Sequence, residues 1–129
     1  MKIIDWTIPY LFENKPRHLL GIGYLEDIDK IIKAGIDLFD CTVPTHYARR
    51  GFAFTSEGRL DFSKVKYLTD LKPIDLNCPC FTCLNYKRNY LSHLIRADEW
   101  TGSHLLTIHN LCYYNNYIKM LRDNIKNND

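Results

Sequence analysis

Three cysteines fall within six residues in Cys78-Pro79-Cys80-Phe81-Thr82-Cys83, and no other feature of the chain limits its fold so narrowly. A thiolate sits about 2.3 Å from zinc, so a shared ion requires the backbone to turn back on itself; gaps of one and two residues in a loop allow that. A Cys-x-Cys pair does not form an easy disulfide, because the two side chains diverge. The chain holds five cysteines, at 41, 78, 80, 83 and 112. An odd number argues against a disulfide framework and for a metal site or a catalytic thiol. Reduced cysteines also bury readily as small apolar groups, but three of them in so polar and proline-rich a segment read as zinc ligands. One tetrahedral position is left, for His93, His104, His109 or Cys112. His109 and Cys112 lie three residues apart on one side of the expected last helix, so spacing leaves the choice open. Four protein ligands leave no position for substrate, which makes such a site structural.

A chain of 129 residues fits one domain and can bury a real core. Apolar residues make up 46% and charged residues 25%, the balance of an ordinary globular protein. The segment from Met1 to Trp6 lacks the basic start and apolar run of a signal peptide. No stretch approaches the roughly 20 apolar residues that span a bilayer, so a cytoplasmic address without a membrane partner is expected. A formal charge of +2 does not diagnose a nucleic-acid partner. The clusters Arg49-Arg50, Lys64 with Lys66, Lys72 and Lys87-Arg88 suit either phosphates or a solvated surface.

Along the chain no internal repeat is visible, and residues 1–17, interrupted by Pro9 and Pro16, read as an irregular lead-in. The run His18 to Gly23 predicts a buried strand. Leu25, Ile28, Ile31 and Ile32 recur at helical spacing, with Gly35 placed to end that helix. Ile36 to Cys41 predicts a second strand, completing a βαβ unit of the kind that builds parallel sheets. Phe52 to Leu60 reads as a hairpin around Ser56-Glu57-Gly58. The cysteine loop is expected to be irregular. A helix is predicted over 85–97, with Tyr86, Tyr90, Leu91, Leu94 and Ile95 on one face. A last helix is predicted from Ser103 as N-cap to about Lys126, with Leu105, Ile108, Cys112, Ile118, Leu121 and Ile125 as its apolar stripe. The Asn/Lys-rich end from Asn124 to Asp129 reads as a frayed tail.

Asp40 follows Leu38 and Phe39 at the expected C-terminal end of the second strand. Loops converge over the sheet at that edge in parallel α/β folds, and catalytic groups gather there. A carboxylate in this place serves as base, metal ligand or nucleophile, or simply caps the next turn. Asp37, three residues earlier, lies on the same expected strand, and the pattern does not choose between them.

Taken in order, Lys15-Pro16-Arg17, Leu20-Gly21-Ile22-Gly23, Phe39-Asp40-Cys41, Pro44-Thr45, Ala48-Arg49, Phe54-Thr55-Ser56, Lys66-Tyr67, the three cysteines, Asn85-Tyr86 and Leu106-Thr107-Ile108-His109-Asn110 resemble the tRNA-guanine transglycosylases, or queuine tRNA-ribosyltransferases. The resemblance runs from about Ile8 to about Ile125. It implies an α/β fold: the C-terminal part of a TIM (β/α)8 barrel, namely its last two strands and helices, with a zinc-binding subdomain. The division expected is a lead-in over 1–17, the βαβ barrel portion and hairpin over 18–70, the zinc subdomain and last helix over 71–126, and a tail over 127–129.

The family exchanges the wobble guanine of certain tRNA anticodons for a 7-deazaguanine base, in queuosine tRNA modification. Carried onto this chain, the resemblance implies one structural zinc ion held by Cys78, Cys80, Cys83 and His109, and Asp40 as the nucleophile that forms a covalent ribosyl intermediate. It places Arg49, and more weakly His46 and Arg50, along the tRNA. His46 stands where the family usually has arginine, Tyr47 where it has asparagine, and Phe12 where it has proline. A TIM barrel takes about 250 residues, so the second catalytic aspartate and the glycine-rich base-binding loop are expected to lie outside this chain. Two functions follow as expectations: one half of a split enzyme, inactive alone and completed by an N-terminal transglycosylase chain or a homodimer, or a non-catalytic zinc-stabilised module for tRNA binding or subunit contact, or a gene remnant.

Overall fold

The computed structural model describes residues 2–127, which fall into two compact units divided between Val43 and Pro44. In the first unit, helix α1 (Lys2–Thr7) and a 3-10 turn (Ile8–Tyr10) precede strand β1 (His18–Leu19), helix α2 (Leu25–Lys33) and strand β2 (Leu38–Phe39). β1 and β2 pair in parallel, His18 opposite Leu38 and Leu19 opposite Phe39, with α2 as the crossover. The expected βαβ unit is present, but its strands are far shorter than 18–23 and 36–41. Gly21, at φ 73°, takes the chain out of the extended region just after β1.

α2 ends as its sequence suggests. Gly35, at φ 95°, donates its N–H to the Ile32 carbonyl, and the next N–H, of Ile36, reaches back to Ile31 at 3.3 Å. This paired closure needs a left-handed residue, which glycine adopts without steric cost. It turns Ile36 onto Ile31, and the two pack with Ile4 of α1. The start of the chain is therefore helical where an irregular lead-in was expected. Burial of Ile4 accounts for this, because tertiary packing rather than propensity holds so short a helix.

The second unit takes in α3 (Val43–Arg49) from Pro44 on, then β3 (Phe52–Thr55), β4 (Gly58–Asp61), a 3-10 turn (Val65–Tyr67), α4 (Phe81–Asn85), α5 (Arg88–Arg96) and α6 (Trp100–Asn127). β3 and β4 form the expected hairpin, with Phe52 opposite Asp61 and Thr55 opposite Gly58. Its core gathers Ala48, Ala53, Phe62, Ile74, Leu91, Leu94, Leu105, Leu106 and the three clustered cysteines.

Three helix boundaries differ from expectation. The cysteine loop is helical in its second half, since α4 starts at Phe81 with the Cys80 sulfur accepting the Cys83 N–H at its N-terminus. Tyr86 and Lys87 are extended, so α5 begins at Arg88 rather than residue 85. α6 begins at Trp100, ahead of Ser103, because α5 closes through Asp98 (φ 56°), and the Glu99 N–H then reaches back to Leu94 at 2.9 Å. Gly102 lets the two helices meet: a Cβ there would lie 3.0 Å from both Leu94 and Ile95.

α6 continues to Asn127, so the expected tail is helical up to that point; residues 128 and 129 lie outside the described residues. Its buried face is Gly102, Leu105, Leu106, His109, Asn110 and Tyr114, which shares Leu105 alone with the apolar stripe read from the sequence. Two of these positions are polar, and a count of apolar residues passes over them.

Candidate metal centre

Cys78 and Cys80 arrive on the loop before α4, Cys83 on α4 itself, and His109 on the buried face of α6. Their ligand atoms all lie within 4.8 Å of one another. The Nδ1 atom of His109 is 3.3 Å from the Cys83 sulfur and 3.6 Å from that of Cys80. A tetrahedral ion bonded at about 2.3 Å to sulfur and 2.0–2.1 Å to nitrogen would set sulfur and nitrogen about 3.6 Å apart, close to the separations of His109 from Cys80 and Cys83.

The other ring nitrogen, Nε2, lies 2.7 Å from the Phe54 carbonyl. That bond fixes the tautomer, with the proton on Nε2 and the lone pair of Nδ1 aimed at the sulfurs, an arrangement typical of metal-bound histidines. Burial holds the His109 pKa below its usual value despite the Phe54 carbonyl and Asp75, which both favour the proton, so the ring is a neutral ligand. Burial likewise pushes the Cys83 thiol up to about 11, with the Cys80 thiol adding to the rise, and moves Cys78 in the same direction. Three thiolates would repel one another in this pocket, and a divalent cation removes that penalty. Cys78, Cys80, Cys83 and His109 thus form a buried metal-binding site whose donors suit zinc.

The competing ligands fall away. His93 and His104 are exposed and outside the cluster. Cys112 accepts a 3.6 Å bond from Asn116, and Cys41 belongs to the first unit, where its thiol donates to the Gly23 carbonyl. All five cysteines are free of disulfides.

Asp40 sits just past β2 in the first unit. Its Oδ1 accepts the Gly21 N–H at 2.9 Å and lies 4.0 Å from His18 Nε2, while 65% of the side chain stays exposed. Asp37 is engaged differently: its Oδ2 accepts the Arg17 N–H at 2.8 Å, and the Arg17 carbonyl accepts the N–H groups of Asp37 and Leu38. In the second unit, His46 lies on α3 with its ring edge-on to Tyr47. Arg49 and Arg50 are exposed at the end of α3 and line a cleft of about 420 Å³ with Asp98, Glu99, Trp100 and Ser103.

Sequence reasoning passed over three residues that build the centre. Phe54 supplies the carbonyl behind His109, and Asn110 holds Phe54. Arg88 braces the approach to the cysteine loop, donating to the Pro73 and Ile74 carbonyls at 2.8 Å and to Asp70 at 3.1 Å. The adjacent pair His109-Asn110 in Thr-Ile-His-Asn was the one available signal for the first two.

Compared with known proteins, the family model described as queuine tRNA-ribosyltransferase matches residues 1–129. The chain is 46% identical over 123 residues to the queuine tRNA-ribosyltransferase of Idiomarina loihiensis, covering 95% of this chain and 33% of that protein. It is 47% identical over 124 residues to that of Streptococcus equi subsp. zooepidemicus, with 95% and 32% covered. With that of Rickettsia akari it shares 44% over 125 residues, 97% of this chain and 35% of the relative. The chain thus spans about a third of the length of the curated relatives it matches.

Proposed function

The chain belongs to the queuine tRNA-ribosyltransferase family, and on that premise we propose that it supplies the nucleophile strand, a tRNA contact and the zinc centre of an enzyme that exchanges the wobble guanine of tRNA for a 7-deazaguanine base. β1 and β2 then serve as the last two strands of a TIM barrel. The exposure of Leu20 (71%) and Leu38 (53%) beside them supports this, since further barrel strands would cover such residues.

The observation that carries the reading is the difference between two neighbouring carboxylates. Asp37 is bound into the β1–β2 junction, whereas Asp40 accepts one N–H, has His18 nearby and is otherwise exposed. An ionised Asp40 oxygen attacks ribose C1′; the guanine leaves with the electrons of the glycosidic bond and takes up a proton. The ribose is then joined to Asp40, and the incoming 7-deazaguanine, losing the proton from its attacking ring nitrogen to solvent, displaces the carboxylate from C1′. The Gly21 N–H steadies the attacking group. Arg49, with Arg50 and His46, meets the tRNA backbone, and a target base in a single-stranded anticodon loop can leave its stack at low cost. Zinc bound by Cys78, Cys80, Cys83 and His109 holds the fold and takes no part in bond making. A tRNA partner fits a cytoplasmic site of action, and among the described residues no helix is long and apolar enough to cross a membrane.

The test combines this chain with the N-terminal two thirds of a relative and follows labelled guanine into tRNA. Exchange is expected, falling at least about a thousandfold in Asp40→Asn, as losing a nucleophile does, while Asp37→Asn keeps the ability to form the covalent tRNA adduct. A second reading, a non-catalytic zinc-stabilised contact module, is favoured by the separate core and metal centre of residues 44–129. A stable, zinc-loaded complex with neither exchange nor adduct would establish that reading instead.

A further inference from the structure

The peptide of Phe54 is gripped at both polar atoms by consecutive residues of α6. Its carbonyl accepts from the metal ligand His109 at 2.7 Å, and its N–H donates to Asn110 Oδ1 at 3.1 Å. Antiparallel pairing with β4 turns these groups outward, so the two side chains, with the Tyr113 hydroxyl on Thr55, take the place of a missing neighbour strand. The Asn110 amide nitrogen points the other way and donates to the carbonyls of Phe52 and Pro44, 3.0 Å each. Pro44 lies in the first turn of α3. Farther along that helix, Tyr47 packs edge-on against the rings of Phe54 (5.3 Å) and Phe52 (5.9 Å), and the Arg59 guanidinium covers both Tyr47 and Phe52.

We infer that Asn110 is a positioning residue that ties α3 to the metal centre, so that metal loading orders the segment carrying His46 and Arg49. The tRNA role of that segment rests on the function proposed above; the link itself does not. Asn110 is fully buried, and its three bonds reach residues 56 to 66 positions away in the chain. α3 has seven residues, too few to persist without tertiary support. Metal release frees the His109 ring, removes the donor from the Phe54 carbonyl and loosens the strand edge that Asn110 spans. The contacts of Asn110 with Phe52 and Pro44 and of Tyr47 with Phe54 open with it. A buried amide severed from its partners carries a full desolvation cost, so this opening is shared rather than local.

Amide hydrogen exchange of the intact chain at two free-zinc concentrations, both well above the dissociation constant, tests the link. An opening that releases the ion is populated in inverse proportion to free zinc. A tenfold rise should therefore slow exchange about tenfold at Cys83 and Leu84, and equally at Arg50, Gly51 and Phe54, with Ala34 and Gly35 of the first unit unchanged. Zinc-independent exchange at Arg50 and Gly51 alongside zinc-dependent exchange at Cys83 would overturn the inference. In Asn110→Ala, zinc dependence should vanish at Arg50 and Gly51 and persist at Cys83; its persistence at all three would remove Asn110 from the link. Should that variant not fold, zinc-independent exchange at Arg50 and Gly51 in the unaltered chain still overturns the inference. The readout involves no tRNA, so a failed guanine exchange leaves this result standing, and the reverse holds too.

Discussion

Stripping the ion from the second unit tests the largest energetic claim made for this chain. A structural zinc ion contributes about 10–16 kcal/mol at neutral pH in small domains. Net stability runs to roughly 0.05–0.15 kcal/mol per residue, so a unit the size of 44–129 has about 4–13 kcal/mol in all. The two quantities are of one size, and removal of zinc should unfold residues 44–127. The three ligand cysteines belong to the same core as Phe62, Leu91 and Leu106, and His109 is fully buried, so collapse at the centre propagates. Affinity should also depend on pH. Burial raises the Cys78 and Cys83 thiols, and even in the unfolded chain a thiol titrates near 8.5, so both carry protons at pH 7 and lose them on binding. His109, its pKa lowered by burial, adds no proton to release above neutrality. Zinc should therefore bind more tightly as pH rises, by about a hundredfold per unit from these two thiols between pH 6 and 8. Circular dichroism during chelator titration at several pH values measures both effects. An unchanged unfolding midpoint in protein verified to be metal-free would refute the energetic argument, and affinity changing less than tenfold per pH unit would refute the proton count.

Cys112→Ser and Cys41→Ser should each retain one equivalent of metal by elemental analysis, because their sulfurs lie on Asn116 and on the Gly23 carbonyl rather than in the cluster. Arg88→Met should cost on the order of 3 kcal/mol in chemical denaturation, since it strands the part-buried Asp70 carboxylate and two carbonyls. Burial alone would raise Asp70, but the Lys72 N–H and Arg88 outweigh it and hold the carboxyl below its usual value. The pair's contribution is therefore present above the ordinary aspartate pKa and disappears as pH falls through the lower folded value, so Arg88→Met should narrow the gap to wild type in acid. Gly102→Ala should destabilise by about 1–3 kcal/mol despite better helix propensity, because its Cβ would press on Leu94 and Ile95; an increase in thermal midpoint would show that the α5–α6 crossing yields. Asp98→Val should cost about 1–2 kcal/mol at its left-handed position, with Asp98→Gly near neutral.

Local chemistry alone settled several features of this chain. Cysteine gaps of one and two residues demand a tight metal loop wherever that loop lies, and Gly35 ends α2 through its own backbone freedom. The two-residue turn at Ser56-Glu57 likewise answers to its immediate neighbours. The fourth ligand was another matter. His93, His104, His109 and Cys112 are equivalent in spacing terms, and only the rotation of α6 against β3 brings His109 Nδ1 within reach of the sulfurs. That rotation follows from polar burial, since His109 and Asn110 satisfy the open edge of β3, and a pattern of apolar residues carries no record of it. Asp37 and Asp40 flank the same short strand, one at each end. They separate only because the parallel register hands the Arg17 N–H to one and the Gly21 N–H to the other. Short-range stereochemistry can be read residue by residue, whereas hydrogen bonds between groups tens of residues apart exist only once packing has decided which atoms face each other.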